Sequence, residues 1–321
     1  MKKFLQLRLL NIIDYAKWKL SEYERRIRQS TQNHNYKEHN KQQIYSHYLE
    51  CYQDNWEKAK CLFCLSTGRT GTMTLARLLS LSPDINANHE PDPRLIYTSI
   101  IAQQELGGLT TPEKHQIDKW RLICLAARDD YVFRSNQNGK IYAEMNNYLT
   151  YLSWGLKAAF PGSKFVHIYR NPYDFIISGV NRGYFKKESK LGNYKGPTPR
   201  DKYFQQWNEL SDIEKCAWLW SSVNEDAIRF RTNINPNDII VLKFENTITS
   251  DDSYENIYNL FEFLDAQPPS QQEVHYILEK KLNRQHSKSI DNTKSISKSD
   301  LKKINRIIQP TAEKLGYNLV W

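Results

Sequence analysis

Short apolar runs at residues 61–66, 140–145, 164–169 and 239–244 alternate with longer stretches at about 71–81, 147–160, 172–183 and 212–232, where apolar residues recur at helical spacing. The runs read as strands and the longer stretches as helices. Their alternation predicts a parallel sheet with helices on both faces. Upstream the pattern differs. Leu5, Leu9, Ile12, Ile13, Ala16 and Leu20 outline one amphipathic helix over about 4–28, whose other side is basic and ends in Glu24-Arg25-Arg26-Ile27-Arg28. Packing of this helix on the domain, or on a second subunit in a homo-oligomer, is the preferred reading. A peripheral membrane contact through residues 4–28 competes with it. Residues 30–45 have linker composition. The expected division is therefore a basic helical extension and linker over 1–58 and an α/β domain over 59–321.

Composition narrows the class. The chain has 321 residues, of which 40% are hydrophobic and 25% charged, with a formal net charge of +9, so it can bury a sizeable core and should favour anionic partners. The cysteines are Cys51, Cys61, Cys64, Cys124 and Cys216, an odd and scattered set that argues against a disulfide framework. Cys61 and Cys64 form a CxxC pair, but on a strand residues three apart point to opposite faces, so they read as buried thiols rather than metal ligands. Charged residues interrupt the N-terminal apolar run and no small-residue cleavage site follows, which predicts a cytoplasmic protein.

The chemistry concentrates at Cys61-Leu-Phe-Cys-Leu-Ser-Thr-Gly-Arg-Thr-Gly-Thr-Met-Thr-Leu-Ala-Arg-Leu-Leu79. A buried strand ends at Ser66 and a helix follows. The free N–H groups of the helix start, with its dipole, suit an anion. Gly68 and Gly71 let the backbone turn and approach a ligand, and Thr70, Thr72 and Thr74 add hydroxyl donors. Arg69 adds a planar cation for phosphate-type oxygens. A tight turn with no ligand would carry the same glycines. The loop is not a Walker A sequence, because Gly71 is followed by Thr72-Met73 rather than Lys-Ser/Thr.

A second cluster, Lys164-Phe-Val-His-Ile-Tyr-Arg-Asn-Pro-Tyr-Asp-Phe-Ile-Ile-Ser-Gly-Val-Asn-Arg-Gly-Tyr184, places Arg170 at a strand's C-terminal end, where open α/β sheets bind ligands. Pro172 opens a helix. Ser178 lies two turns along, and Arg182 one turn further on nearly the same face. An Arg, a Ser and another Arg can thus grip a second anion, although a capping turn with a solvated arginine has the same sequence.

Together the clusters resemble the sulfotransferases that use 3′-phosphoadenosine 5′-phosphosulfate (PAPS). Arg69-Thr-Gly-Thr resembles that family's 5′-phosphosulfate loop. Arg170-Asn-Pro-Tyr-Asp174 with Ser178 resembles its 3′-phosphate motif. Val241-Leu-Lys-Phe-Glu-Asn246, followed by Ile257-Tyr-Asn-Leu-Phe-Glu-Phe-Leu264, and Leu315-Gly-Tyr317 resemble later family segments, so the likeness covers about 60–321. It implies a P-loop-like three-layer α/β fold with a central parallel sheet flanked by helices, here with the N-terminal extension. It also implies sulfuryl transfer from PAPS, with 3′-phosphoadenosine 5′-phosphate (PAP) as product and no metal. The donor would be bound by Arg69, Thr70, Gly71, Thr72, Met73, Arg170 and Ser178. Arg69 stands where phenol-type members have Lys, as in carbohydrate-type and some bacterial members. There is no clear RKG segment; Lys280–Lys288, with Asn283 and Arg284, is the candidate replacement.

In carbohydrate-type members a glutamate after the first βα unit is the base. Here Asn88-His89-Glu90-Pro91 occupies that place, so Glu90 is the first candidate and His89 the second. Glu144, in Tyr142-Ala-Glu-Met-Asn-Asn147, is expected to bind the acceptor or replace Glu90, and Arg182 to contact the acceptor. The acceptor would be a carbohydrate, glycolipid or small metabolite, met by a hydroxyl or amine. Trp154, Trp207, Trp218 and Trp220 read as core rather than as an acceptor platform. Segments 92–135 and 186–210, expected to shape the acceptor pocket, carry no decodable pattern. A P-loop-type kinase would need a Walker lysine and an acidic Mg²⁺ site, neither of which appears. A non-catalytic polyanion-binding protein leaves the paired motifs unexplained, and no nucleic-acid motif is visible.

Overall fold

The computed structural model describes residues 56–186, 196–250, 252–279 and 296–319. The expected helix over 4–28, its linker, most of the lysine-rich loop after 186 and the 280–288 segment lie outside them. Five parallel strands form one sheet in the order β2-β3-β1-β4-β5. They are β1 (Cys61–Leu65), β2 (Ile85–His89), β3 (Ile141–Met145), β4 (Lys164–Tyr169) and β5 (Ile239–Lys243). The helices are α1 (Thr72–Leu79), α2 (Ile96–Leu106), α3 (Lys114–Gln137), α4 (Ser153–Ala159), α5 (Pro172–Asn181), α6 (Asp212–Arg231), α7 (Ser253–Leu264), α8 (Gln271–Glu279) and α9 (Lys298–Lys314).

Alternation along β1 divides the core into two layers. Cys61, Phe63 and Leu65 point into a cluster with Trp120 of α3, Leu156 of α4, Phe175 of α5, Phe230 of α6 and Ile304 of α9. Leu62 and Cys64 point into the other, with Leu75 and Leu78 of α1, Ile257 and Phe261 of α7 and Val274 of α8. Cys61 and Cys64 therefore do lie on opposite faces. Burial pushes the Cys64 thiol up to about 12 and that of Cys61 higher still, so both are inert. Trp218 and Trp220 are core residues, and Trp154 and Trp207 pack against the core half-buried.

Two features differ from expectation. The expected helix 147–160 is a 3₁₀ turn, Asn147–Leu152, followed by α4; the Asn146 side chain caps the turn by accepting from the Tyr148 N–H. Segment 92–135 contains α2 and most of the long α3, and β2 precedes it as an edge strand.

Two packing details make testable statements. Gly155 sits inside α4, where Ala would ordinarily stabilise, but a Cβ there would meet the Trp120 backbone at 2.8 Å. Gly155→Ala should therefore lower unfolding stability by about 1–3 kcal/mol in denaturant titrations. His167 of β4 is fully buried, its Nε2 hydrogen-bonded to Asn224 Oδ1 at 3.1 Å, and burial pushes its imidazole down to about 4. A lowered folded-state value favours the neutral ring, so this stability is complete above about pH 6.5 and is lost as pH falls towards 4, by about 3 kcal/mol. His167→Asn should flatten that part of the stability–pH curve.

Candidate active site

β1 and β4 are neighbours in register, with Leu65 opposite His167. Their C-terminal ends therefore open onto the same edge, and the two motifs meet there. After β1 the chain turns sharply, with left-handed backbone at Gly68 (φ 76°), Arg69 (φ 58°) and Gly71 (φ 80°). Gly71 is also a close approach: a Cβ would lie 3.0 Å from the Phe244 ring. Ser66 braces the turn, its Oγ accepting from the Gly68 N–H at 3.0 Å and its own N–H donating to Thr150 Oγ1. No side chain caps the first turn of α1, which begins at Thr72 and includes half-buried Met73. The Thr70 hydroxyl is buried with no hydrogen-bond partner among the described residues.

After β4, the Asn171 side chain accepts from the N–H groups of Tyr173 and Asp174, and Pro172 occupies the first turn of α5. Arg170 reaches back to the first loop, Nη1 donating to the Arg69 carbonyl at 3.2 Å and Nη2 to Asp174 at 3.1 Å. Its guanidinium lies 4.6 Å from the Phe244 ring centre, and its buried Nε has no hydrogen-bond partner among the described residues. Across 109 positions of sequence, Arg69 Nε donates to Ser178 Oγ at 3.3 Å. Arg182 follows at the end of α5. Burial lowers the basicity of Arg69, and Arg182 and Arg170 lower it further against a smaller opposing effect of Tyr184. Neither Arg69 nor Arg182 has a carboxylate partner among the described residues. Such convergence of like charge is the arrangement expected of a site for a multiply charged anion.

The third segment braces the second. Glu245 follows β5; its Oε1 accepts from the Asn171 N–H at 2.8 Å and its Oε2 from the Tyr317 hydroxyl at 2.8 Å. Lys243 lies 4.2 Å from the Tyr317 ring centre. Trp220 of α6 donates its indole N–H to the Arg170 carbonyl.

His89 ends β2, and its Nε2 lies 3.2 Å from the Thr72 hydroxyl at the start of α1. Burial holds its imidazole below the ordinary value, against the pull of Glu90. Glu90 has left-handed backbone (φ 47°) and pairs with Arg94. Burial raises the Tyr184 phenol, while Arg69 and Arg182 lower it and Glu90 adds a smaller upward push.

Glu144 is a correction. It is 0% exposed. Its oxygens accept from Arg128, from the Tyr142 hydroxyl at 2.9 Å and from Asn146 Nδ2 at 2.9 Å. On β3 it pairs in register with Phe63 and Asn88, inside the sheet rather than at its rim, so no oxygen is available to an acceptor. Arg128 was not expected at all, since nothing in its local pattern distinguishes it from a surface arginine. Among the described residues, no cluster of His, Cys, Asp or Glu could hold a metal ion.

A sequence model described as "Sulfotransferase family" matches residues 61–267. No curated protein matches the chain. Among solved structures, a sulfotransferase domain from the curacin biosynthetic pathway is 14% identical, covering 82% of this chain and 99% of that one, with a TM-score of 0.49. The sulfotransferase from Alicyclobacillus acidocaldarius is also 14% identical, covering 80% and 96%, with a TM-score of 0.47. The sulfotransferase domain of the Synechococcus PCC 7002 olefin synthase is 14% identical, covering 81% and 95%, with a TM-score of 0.48.

Tyr317→Phe leaves one Glu245 oxygen without its partner. It is expected to cost about 1–3 kcal/mol of stability at pH 7, measured by denaturant unfolding beside Tyr258→Phe as an exposed control.

Proposed function

We propose that this chain, which belongs to the sulfotransferase family, takes its sulfuryl group from PAPS and delivers it to a hydroxyl of a carbohydrate, glycolipid or small metabolite. One observation carries the reading: the Arg69 loop and the Arg170 motif, remote in sequence, form one cationic site joined by the Arg69–Ser178 hydrogen bond. The residues fit such a donor. Thr70 Oγ1 and Arg170 Nε are buried polar atoms without hydrogen-bond partners among the described residues. Buried polar groups are rarely left so, and an anion with several oxygens would satisfy them.

In this reading Arg69, Thr70, Gly71, Thr72 and Met73 hold the 5′-phosphosulfate, and Arg170 with Ser178 the 3′-phosphate. PAPS, when bound, supplies an activated sulfuryl group on a good leaving phosphate. Arg69 and the first amides of α1 stabilise charge developing on the leaving oxygen in an in-line displacement. Arg69 donates hydrogen bonds and keeps its proton. Glu90 takes the acceptor's proton, with His89 as the second candidate; the lowered basicity of His89 leaves its imidazole neutral at pH 7 and able to accept. Arg182, at the end of α5, contacts the acceptor in this reading. Among the described residues no helix is long and apolar enough to cross a membrane.

The test is calorimetric titration with PAP, AMP and ATP. PAP should bind at least about tenfold more tightly than AMP, and Arg170→Ala should weaken PAP by about tenfold to a hundredfold, as expected for lost charge-assisted hydrogen bonds. Equal affinity for PAP and AMP would overturn the reading.

A further inference from the structure

A buried ion pair is a poor device for stability, because desolvation of the two charges offsets much of their attraction. Arg128 and Glu144 nevertheless form one in the core, both side chains 0% exposed. Besides local bonds to the Ala127 carbonyl and the Tyr142 hydroxyl, the bonds around it lead to one place. Arg128 Nη2 donates to the Pro93 carbonyl at 3.0 Å as well as to Glu144 at 2.7 Å. Asn146 Nδ2 donates both to Glu144 and to the Arg94 carbonyl, the latter at 3.4 Å. Tyr131, whose ring centre lies 5.9 Å from the Arg128 guanidinium, donates its hydroxyl to the Asp92 carbonyl at 2.8 Å. Three successive carbonyls, those of Asp92, Pro93 and Arg94, are thus held by side chains from α3 and the end of β3. Left-handed residues bound the tethered turn, Glu90 on one side and Leu95 on the other.

We infer that the buried Arg128–Glu144 pair is a positioning device for the segment carrying His89 and Glu90: Glu144 aims Arg128 and Asn146, and these fix the turn that follows Glu90 and carries its ion-pair partner Arg94. The inference rests on the reading of that segment as the proton-accepting side of a sulfuryl transfer. It assigns Glu144 no contact with substrate. A pair that only filled the core would not need to direct its donors at consecutive carbonyls of one loop.

The experiment compares the wild-type protein with Glu144→Gln, which keeps shape and removes charge, and with Tyr131→Phe, which removes only the outermost tether. Three quantities are read: PAP affinity by calorimetry, amide hydrogen exchange of peptides spanning 66–79 and 89–95, and cleavage of labelled PAPS with water as acceptor. For Glu144→Gln, exchange over 89–95 should rise about tenfold while 66–79 stays unchanged. PAPS cleavage should fall about tenfold or more, with PAP affinity within about twofold of wild type. Tyr131→Phe should raise exchange over 89–95 about threefold and leave PAP binding intact. Wild-type exchange over 89–95 in both variants would overturn the inference. So would loosening throughout Glu144→Gln together with no change in Tyr131→Phe, which would make the pair a general core element. Failure of the wild-type protein to bind PAP would sink the donor assignment instead, and the exchange data would still decide the positioning role.

Discussion

The site depends on one constraint of chain geometry, the side-by-side parallel pairing of β1 and β4. Parallel neighbours end at the same edge of a sheet, so the segments that follow them are delivered together whatever their distance in sequence. Arg69 and Arg170 come from those two ends. Without that pairing neither loop would have a reason to carry unneutralised arginine, and the Arg69–Ser178 and Arg170–Arg69 bonds could not form. The outer strands extend the same logic: β3 and β2 bring His89 and Glu90 to that edge, and β5 brings Phe244 and Glu245.

Electrostatics and packing divide the labour. Repulsion among Arg69, Arg170 and Arg182 must be held in place by something other than charge. The structure uses neutral contacts: the Arg69 carbonyl, the Ser178 hydroxyl and the Phe244 ring. Glu245 is spent on a backbone N–H and a phenol rather than on an arginine. Arg170 is the exception, since Asp174 one turn into α5 partly offsets it.

What the sequence made legible follows from what pattern reading can see. β1 and β4 are short, apolar and largely buried, β5 is a short apolar edge strand, and each appeared within a residue of its expected bounds. The Arg69 and Arg170 segments were visible because glycine, proline and arginine at strand ends have few competing explanations. β2 was not visible: Ile-Asn-Ala-Asn-His has weak apolar contrast, and as an edge strand it is buried mainly through Ile85. Nor was α3, whose buried positions include Arg128 and Ser135 among the apolar ones. The same blindness to buried charge placed Glu144 at the rim as an acceptor contact, when its partner lay sixteen residues away on an element the pattern did not show. The segments expected to shape the acceptor pocket fell where the pattern was silent.

The Phe244 ring has a further consequence. It leaves room at position 71 only for glycine, since a Cβ there would lie 3.0 Å from it, and it also carries the Arg170 guanidinium. A side chain at position 71 would have to displace that ring, and with it the cation of the other subsite. A larger residue at the first glycine-rich turn would therefore be felt at Arg170 through the ring, and a smaller side chain at position 244 would be the direct way to relieve it.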